Sequence, residues 1–395
     1  MGPSELAVSR SGVSRRQVLR GAALTTLAGL TAACAPSAVA PPPAAAPPQG
    51  APAVPSRPAW EQDWEKLVAA AKQEGKVSVI TRPGASYRKF LQSFEEAFPG
   101  IVAEQQEMLA IQLAPRLLQE RNGGIYNWDA MVSTSSTPLL VLRPAGALDP
   151  LRPALRRPDI LQDNVWRDGF DGGWTDTAKS LAYAFGQTLL RTVWVNTDLV
   201  RPDEIKTARD LLDPKWKGRM VAGDPRTTAF SVPATSMRLA HGDDIVKKVY
   251  KDQETVLNKD YRVMTEALIK GKYAIGIQAV SEQLMRDMLA EGVGKNVRAL
   301  DMPDCDALTA IGDVLFLLNR PPHPNATRVF LNWILTKEGQ IAWIKATGDN
   351  SRRLDVPPGD PNVVPKPGRR YRVADVETSI PLEQQTIELA NKVLD

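Results

Sequence analysis

Four short stretches carry side chains suited to holding a small charged molecule. Thr81, Arg82, Gly84 and Ser86 lie in "TRPGAS", between an apolar run and an amphipathic one. Ser133, Thr134, Ser135 and Ser136 follow "WDAMV" in the same way. Arg226, Thr227 and Thr228 stand in "GDPRTTAFS", and Gln278 and Ser281 flank the end of "YAIGIQAVSEQ". Small residues let backbone N–H groups approach a ligand, hydroxyls donate, and a guanidinium pairs with a carboxylate or phosphate. A helix start adds oriented N–H groups and a favourable dipole. Simpler uses compete with each of these. Ser86 can cap its helix, and Asp224 and Arg226 can be solvated turn charges. Asn350 and Arg352 in "TGDNSRRLDV" are weaker candidates, since that segment can serve to pack a helix end.

Reactive chemistry is poorly supplied by comparison. The chain has no HExxH, GxSxG, P-loop or CxxC pattern and no GxGxxG after a strand. Two histidines and two cysteines in 395 residues leave little for metal catalysis. No enzyme activity, cofactor or metal is expected.

The elements that position these stretches alternate. "WEQDWEKLVAAAKQEG" sets Trp60, Trp64, Leu67, Val68 and Ala71 on one helical face, with Gly75 at its C′ position. "KVSVI" is a strand, and "YRKFLQSFEEAF" is a helix with Phe90, Phe94 and Phe98 four residues apart. Strands follow at "IVAEQQE" and "WDAMVS", then "LRTVWVNTDLV" and "YAIGIQAV". Two late helices are "NATRVFLNWILT" and "KEGQIAWIKATG". Strands alternating with helices predict an α/β protein with largely parallel sheets.

The N-terminal region differs in kind. "SRRQVLRGAALTTLAGLTAAC" places Arg15 and Arg16 before an apolar run from Ala22 to Ala33, too short for the roughly 20 residues of a membrane span. It resembles a twin-arginine export signal ending in a lipobox, with Cys34 lipidated. Residues 35–58 hold nine prolines and no aromatic residue. They predict an extended tether of about 3 Å per residue, roughly 70 Å at full reach. The overall formal charge is +4, but beyond residue 33 only 45 basic residues face 44 acidic ones. No basic field remains to attract nucleic acid.

"WEKLVAAAKQEGKVSVI", "FEEAFPGI", "VWVNTDLV" with "DLLDPKWKGRMVAGDPR", and "FLNWILTKEGQIAWIKATG" together resemble the extracellular solute-binding proteins of ABC transporters, in the ferric-binder-like group. The resemblance implies the type II periplasmic-binding-protein fold: two α/β lobes with a ligand cleft between them and two chain crossings, near 181–191 and 299–313. Residues 1–33 would then be the signal peptide and 34–58 the linker. Lobe one would comprise 59–185 and 305–395, and lobe two 186–304. The expected partners are a small-molecule solute, a membrane permease and the membrane itself through a lipid on Cys34. An exported monomer is expected. Ferric binders of the group use adjacent tyrosines after the strand that corresponds to "YAIGIQ"; here the segment reads "AVSEQ". His241 and His323 read as surface-loop residues. A small organic anion is therefore expected rather than ferric iron.

Overall fold

The computed structural model describes residues 58–394 except 109, 311, 312 and 367. The expected leader, the tether and Cys34 lie outside the described residues, which hold no helix long and apolar enough to cross a membrane.

The chain opens with helix α1 (Ala59–Glu74), β1 (Lys76–Thr81), α2 (Ala85–Ala97), β2 (Val102–Glu107), α3 (Ala110–Asn122), β3 (Ala130–Ser133), β4 (Leu148–Asp149) and β5 (Ala182–Ala184). β6 (Thr188–Leu190) leads away from these. Then come β7 (Val193–Asn196), β8 (Met220–Gly223), α4 (Ser231–His241), α5 (Asp244–Lys247), β9 (Val256–Asn258), α6 (Tyr261–Ile269), β10 (Ile275–Ile277), α7 (Glu282–Ala290) and β11 (Val297–Ala299). β12 (Ala307–Thr309) leads back to β13 (Val314–Leu318), α8 (Pro324–Ile334) and α9 (Lys337–Thr347). β14 (Arg372–Val373) and α10 (Ile380–Leu394) close the chain.

Two sheets carry two lobes. The first runs β2-β1-β3-β13-β4, with β5 also on β13. β1 is parallel to β2 and β3, whereas β13 is antiparallel to β3, β4 and β5. Five of the six β1 residues are buried, as a strand covered on both faces requires. The second sheet runs β11-β7-β10-β8-β9. A small third sheet, β14-β12-β6, joins the crossing segments: Leu189 pairs antiparallel with Leu308.

Local signals explain several boundaries. α1 ends at Gly75, which takes the left-handed conformation and donates to the Ala71 carbonyl. α9 begins at Thr336, whose side chain accepts from the Gly339 N–H. The four-residue phenylalanine spacing of α2 places Phe90 and Phe94 against Trp333 of α8, with ring centroids 5.3 and 5.4 Å away. Trp343 of α9 meets Phe90 edge-on at 5.0 Å. Residues from both ends of the sequence thus share the first core.

The C-terminal stretch departs from the expected division, which assigned all of 305–395 to lobe one. α10 packs instead on α4 and α5 of the second lobe. Its Ala390 is buried in that lobe's core, with Leu389, Val393 and Leu394 against it. The approach is fixed by a buried ion pair, Arg372 to Glu383 at 3.0 Å, and by Arg238 donating to the Leu382 carbonyl at 3.4 Å. The chain therefore passes between the lobes a third time, through β14.

Candidate functional site

A cavity of about 650 Å³ opens where the two lobes and the crossing strands meet. The first lobe contributes Arg82 from the β1–α2 turn, Ser86 and Tyr87 from the start of α2, Asp313 just before β13, and Asp349 and Asn350 just after α9. The second contributes Tyr261, Val280, Ser281, Glu282 and Arg286. Thr188, Leu190 and Thr309 of the crossing strands line the hinge side.

The β1–α2 turn is built to aim Arg82. Thr81 is buried; its hydroxyl donates to the Arg82 carbonyl and accepts from the Gln105 amide, both at 2.9 Å. Gly84 has φ of 143°, a region that side-chain-bearing residues avoid, and this lets the chain enter α2. Arg82 then folds back on Tyr87. Its Nε donates to the Tyr87 hydroxyl at 2.8 Å, its Nη2 reaches the same oxygen, and its guanidinium lies 5.5 Å from the ring centroid. No carboxylate lies within ion-pair distance of Arg82 among the described residues. Burial works against its charge, but Tyr87, Asp313 and Asp349 together raise its pKa, so the charge persists. Burial pushes the Tyr87 hydroxyl up to about 12, against the pull of Arg82.

Two acids on the same wall are held away from their ordinary state. Burial, and then repulsion from Asp349, push Asp313 well up, and Arg82 offsets this only in part. Burial likewise raises Asp349, against Arg82 and Arg286. On the facing lobe, burial and Asp360 push Glu282 up to about 7, against Arg191 and Arg286. Arg286 itself binds Asp360 at 2.9 Å.

The other expected residues are placed differently. Ser281 lines the cavity at the start of α7. Gln278 is buried, with φ of 45°; its Nε2 donates to the Ala229 carbonyl at 2.9 Å, which ties the end of β10 to the turn before α4. Ser133 is buried at the end of β3 and Ser135 just beyond it, where the Ser135 hydroxyl donates to Thr175 at 2.9 Å; Thr134 is half-buried between them. None of the three is in the cavity lining. Arg226 forks onto Asp224 at 2.9 and 3.1 Å, and the Thr227 hydroxyl donates to the Asp224 carbonyl at 2.9 Å. Thr228 is exposed. These three also fall outside the lining. Asn350 lines the cavity while exchanging two 2.9 Å hydrogen bonds with the backbone of Asp360. Arg352 is buried beneath it and donates to main-chain carbonyls, including Gly169 at 3.2 Å.

The histidines are not free loop residues. His241 ends α4 with Nε2 2.7 Å from Asp304, and His323 Nδ1 lies 2.8 Å from the buried Asp129. Each partner is remote in sequence, so no local pattern betrays it. Cys305 is buried, and burial raises its thiol pKa far up. Among the described residues, no group of three or more His, Cys, Asp and Glu side chains is arranged to hold a metal ion. Sequence reasoning missed Tyr87, Asp313, Asp349, Tyr261, Glu282 and Arg286 as wall residues. Only Asp349, immediately after a helix-ending glycine, carried a local signal.

Several solved structures share this architecture. Iron-bound HitA from Pseudomonas aeruginosa is 17% identical, with 80% of this chain covering 99% of that one at a TM-score of 0.60. A ferric iron-binding protein A of Mannheimia haemolytica, in an open conformation, is 12% identical, with 81% of this chain covering 98% of that one at 0.63. An ABC transporter protein from Clostridium perfringens is 13% identical, with 81% covering 100% at 0.63. No curated protein sequence matches significantly. Two α/β lobes joined by crossing strands around one cleft are the type II periplasmic-binding-protein fold. Residues 76–347 match the bacterial extracellular solute-binding proteins, and the chain belongs to that family.

Proposed function

We propose that the chain is the solute-binding component of an ABC importer, and that it captures a small organic anion by lobe closure and delivers it to a membrane permease. Membership in an extracellular solute-binding family and likeness to an ABC transporter protein support the transport role. The observation that carries the anion is Arg82: a half-buried guanidinium on the cavity wall with no carboxylate in ion-pair reach among the described residues. Ser86 adds a hydroxyl from the same turn, and Ser281 answers from the other lobe. A solute touching both walls stabilises the closed arrangement by its differential affinity for it. Export by the twin-arginine route, anchoring through a lipid on Cys34 and a monomeric state complete the proposal. Cys34→Ala should release the protein from membranes.

A charge-assisted hydrogen bond to a desolvated anion contributes on the order of 1.5–3 kcal/mol. Thermal-shift screening against organic anions, followed by calorimetric titration, should show Arg82→Ala binding roughly tenfold to a hundredfold more weakly than wild type. Equal dissociation constants would remove Arg82 from the site.

A ferric cargo is the second reading. It is favoured by the iron bound to HitA and by one tyrosine from each lobe, Tyr87 and Tyr261, on the same cavity. Iron would have to displace the Tyr87 proton, held at about 12. Titration with ferric citrate should give no tyrosinate-to-iron colour; a stoichiometric coloured complex would establish this reading in place of the first.

A further inference from the structure

Among the described residues, the buried aspartates other than Asp313 on the cleft wall accept hydrogen bonds or ion pairs on their carboxyls. Asp129 accepts from the Ser78 and His323 N–H groups at 2.7 and 2.8 Å and binds the His323 ring. Asp176 accepts from three successive backbone N–H groups, those of Ser180, Leu181 and Ala182. Asp306 takes the Thr192 N–H at 2.8 Å and the Met302 N–H at 3.0 Å. Asp313 is buried as deeply, at 2% exposure, and its Oδ1 has no partner. An unmatched buried carboxyl is expensive, and a native structure retains one for a reason.

Its position is imposed rather than accidental. The Asp313 N–H donates to the Ala310 carbonyl at 2.9 Å, and its carbonyl accepts from the Phe185 N–H at 3.0 Å. The carboxyl lies against Gly186, where a Cβ would come within 2.0 Å of Oδ2. Main chain on both sides thus holds the group on the cavity wall while its own oxygens remain unused. Asp349 lines the same wall, with its N–H on the Thr347 hydroxyl at 3.1 Å and no cation in ion-pair reach of its carboxyl among the described residues. Arg82 lies within electrostatic reach of both acids but pairs with neither. One wall therefore presents a guanidinium held by a tyrosine hydroxyl but by no carboxylate, beside carboxyls with no cation in ion-pair reach among the described residues.

We infer that the solute is a zwitterion, with a cationic nitrogen a few bonds from its anionic group, and that Asp313 and Asp349 receive the nitrogen while Arg82 receives the anion. This rests on the proposed role of the cleft as a site for a small organic anion, and it narrows that class to compounds of the amino-acid type. A bound ammonium would supply the missing partner for Asp313, favour its ionised form and lower its raised pKa. Neither oppositely charged pair would then leave an unmatched charge in the closed cleft.

The test is a thermal-shift panel of free amino acids and γ-aminobutyrate, each matched to its deamino acid and its amide. At least one amino acid should raise the melting temperature, and its deamino acid should not at equal concentration. Asp313→Asn should bind that amino acid roughly tenfold to a hundredfold more weakly. Its ligand-free melting temperature should hold or rise, since an uncharged amide replaces a group that resists ionisation. Asp349 is only half-buried. Asp349→Asn therefore carries the same test if Asp313→Asn does not fold. Amino acids that leave the melting temperature unchanged would overturn the inference, as would deamino acids that bind equally well or asparagine variants with wild-type affinity. If deamino acids bind wild type but not Arg82→Ala, the anion reading stands and the zwitterion falls. If only ferric citrate binds, both fall.

Discussion

The turns at 81–86 and 223–228 look alike in the sequence. Each follows a strand, precedes a helical segment and sets an arginine among small and hydroxyl residues. In the structure they diverge. Arg226 is bound by Asp224, two residues earlier, whose side chain is 5% exposed and also 3.7 Å from Lys259. Arg82 has no acid within its own turn, leans on a tyrosine hydroxyl and looks into the cleft. The lesson is about commitment. An arginine with a carboxylate two residues away closes a local turn, whereas one with no acid in its turn leans on a neutral hydroxyl and keeps its charge unpaired.

Three substitutions can break or sharpen this contrast. The largest effect is expected from Gly186→Ala. Its Cβ would overlap the Asp313 carboxyl, with contacts of 2.0 and 2.5 Å, and overpacking of this kind costs about 1–3 kcal/mol. Denaturant unfolding should show that loss, and titration should show weakened solute binding, because the same carboxyl is displaced. Arg226→Ala should be milder. It leaves the buried Asp224 with the residue-226 backbone N–H and Lys259, at a cost of about 1 kcal/mol of stability, while solute affinity is unchanged. An affinity loss equal to that of Arg82→Ala would restore the two turns to equivalence.

The smallest effect concerns pH. Glu282 titrates at about 7 in the folded protein, above its ordinary value, so the folded state binds this proton more tightly than the unfolded chain. The resulting stability is complete at pH values below the ordinary carboxylate range and is lost as pH rises through about 7. Asp306, raised to about 7 by burial against the Thr192 and Met302 N–H groups, acts in the same sense. The ligand-free melting temperature should fall between pH 5 and 8, by roughly 2–4 °C for each kcal/mol lost. Glu282→Gln should flatten that fall; an undiminished slope would assign it to the other raised carboxyls, Asp306, Asp313 and Asp349.

The framework was legible wherever local rules decide it. The α1 stripe and its Gly75 cap, the phenylalanine spacing of α2, and the strands at 76–81, 130–133 and 275–277 follow from periodicity and breakers. So did three cleft residues, Arg82, Ser86 and Ser281, because strand-to-helix turns face the cleft in such sheets. What escaped depends on remote pairing. Asp313 acquires its role from Gly186 and Arg82, neither near it in sequence. His241 and His323 looked exposed because Asp304 and Asp129 are far along the chain. The expected division puts residues 380–394 on lobe one with the rest of 305–395; the Arg372–Glu383 pair and the surface of α4, both set by remote pairing, hold α10 on the second.

The path of α10 has a consequence for the order in which the protein can assemble. β13 occupies an interior position of the first sheet, so that sheet stays open until residues 314–318 have been synthesised. The second lobe is nearly contiguous and can begin earlier from shorter loops. Yet its core receives Ala390 from α10, far along the chain from β7–β11. The lobe that can begin first therefore finishes last: its core closes only once α10 has been made, whereas the first lobe's core needs nothing beyond α9.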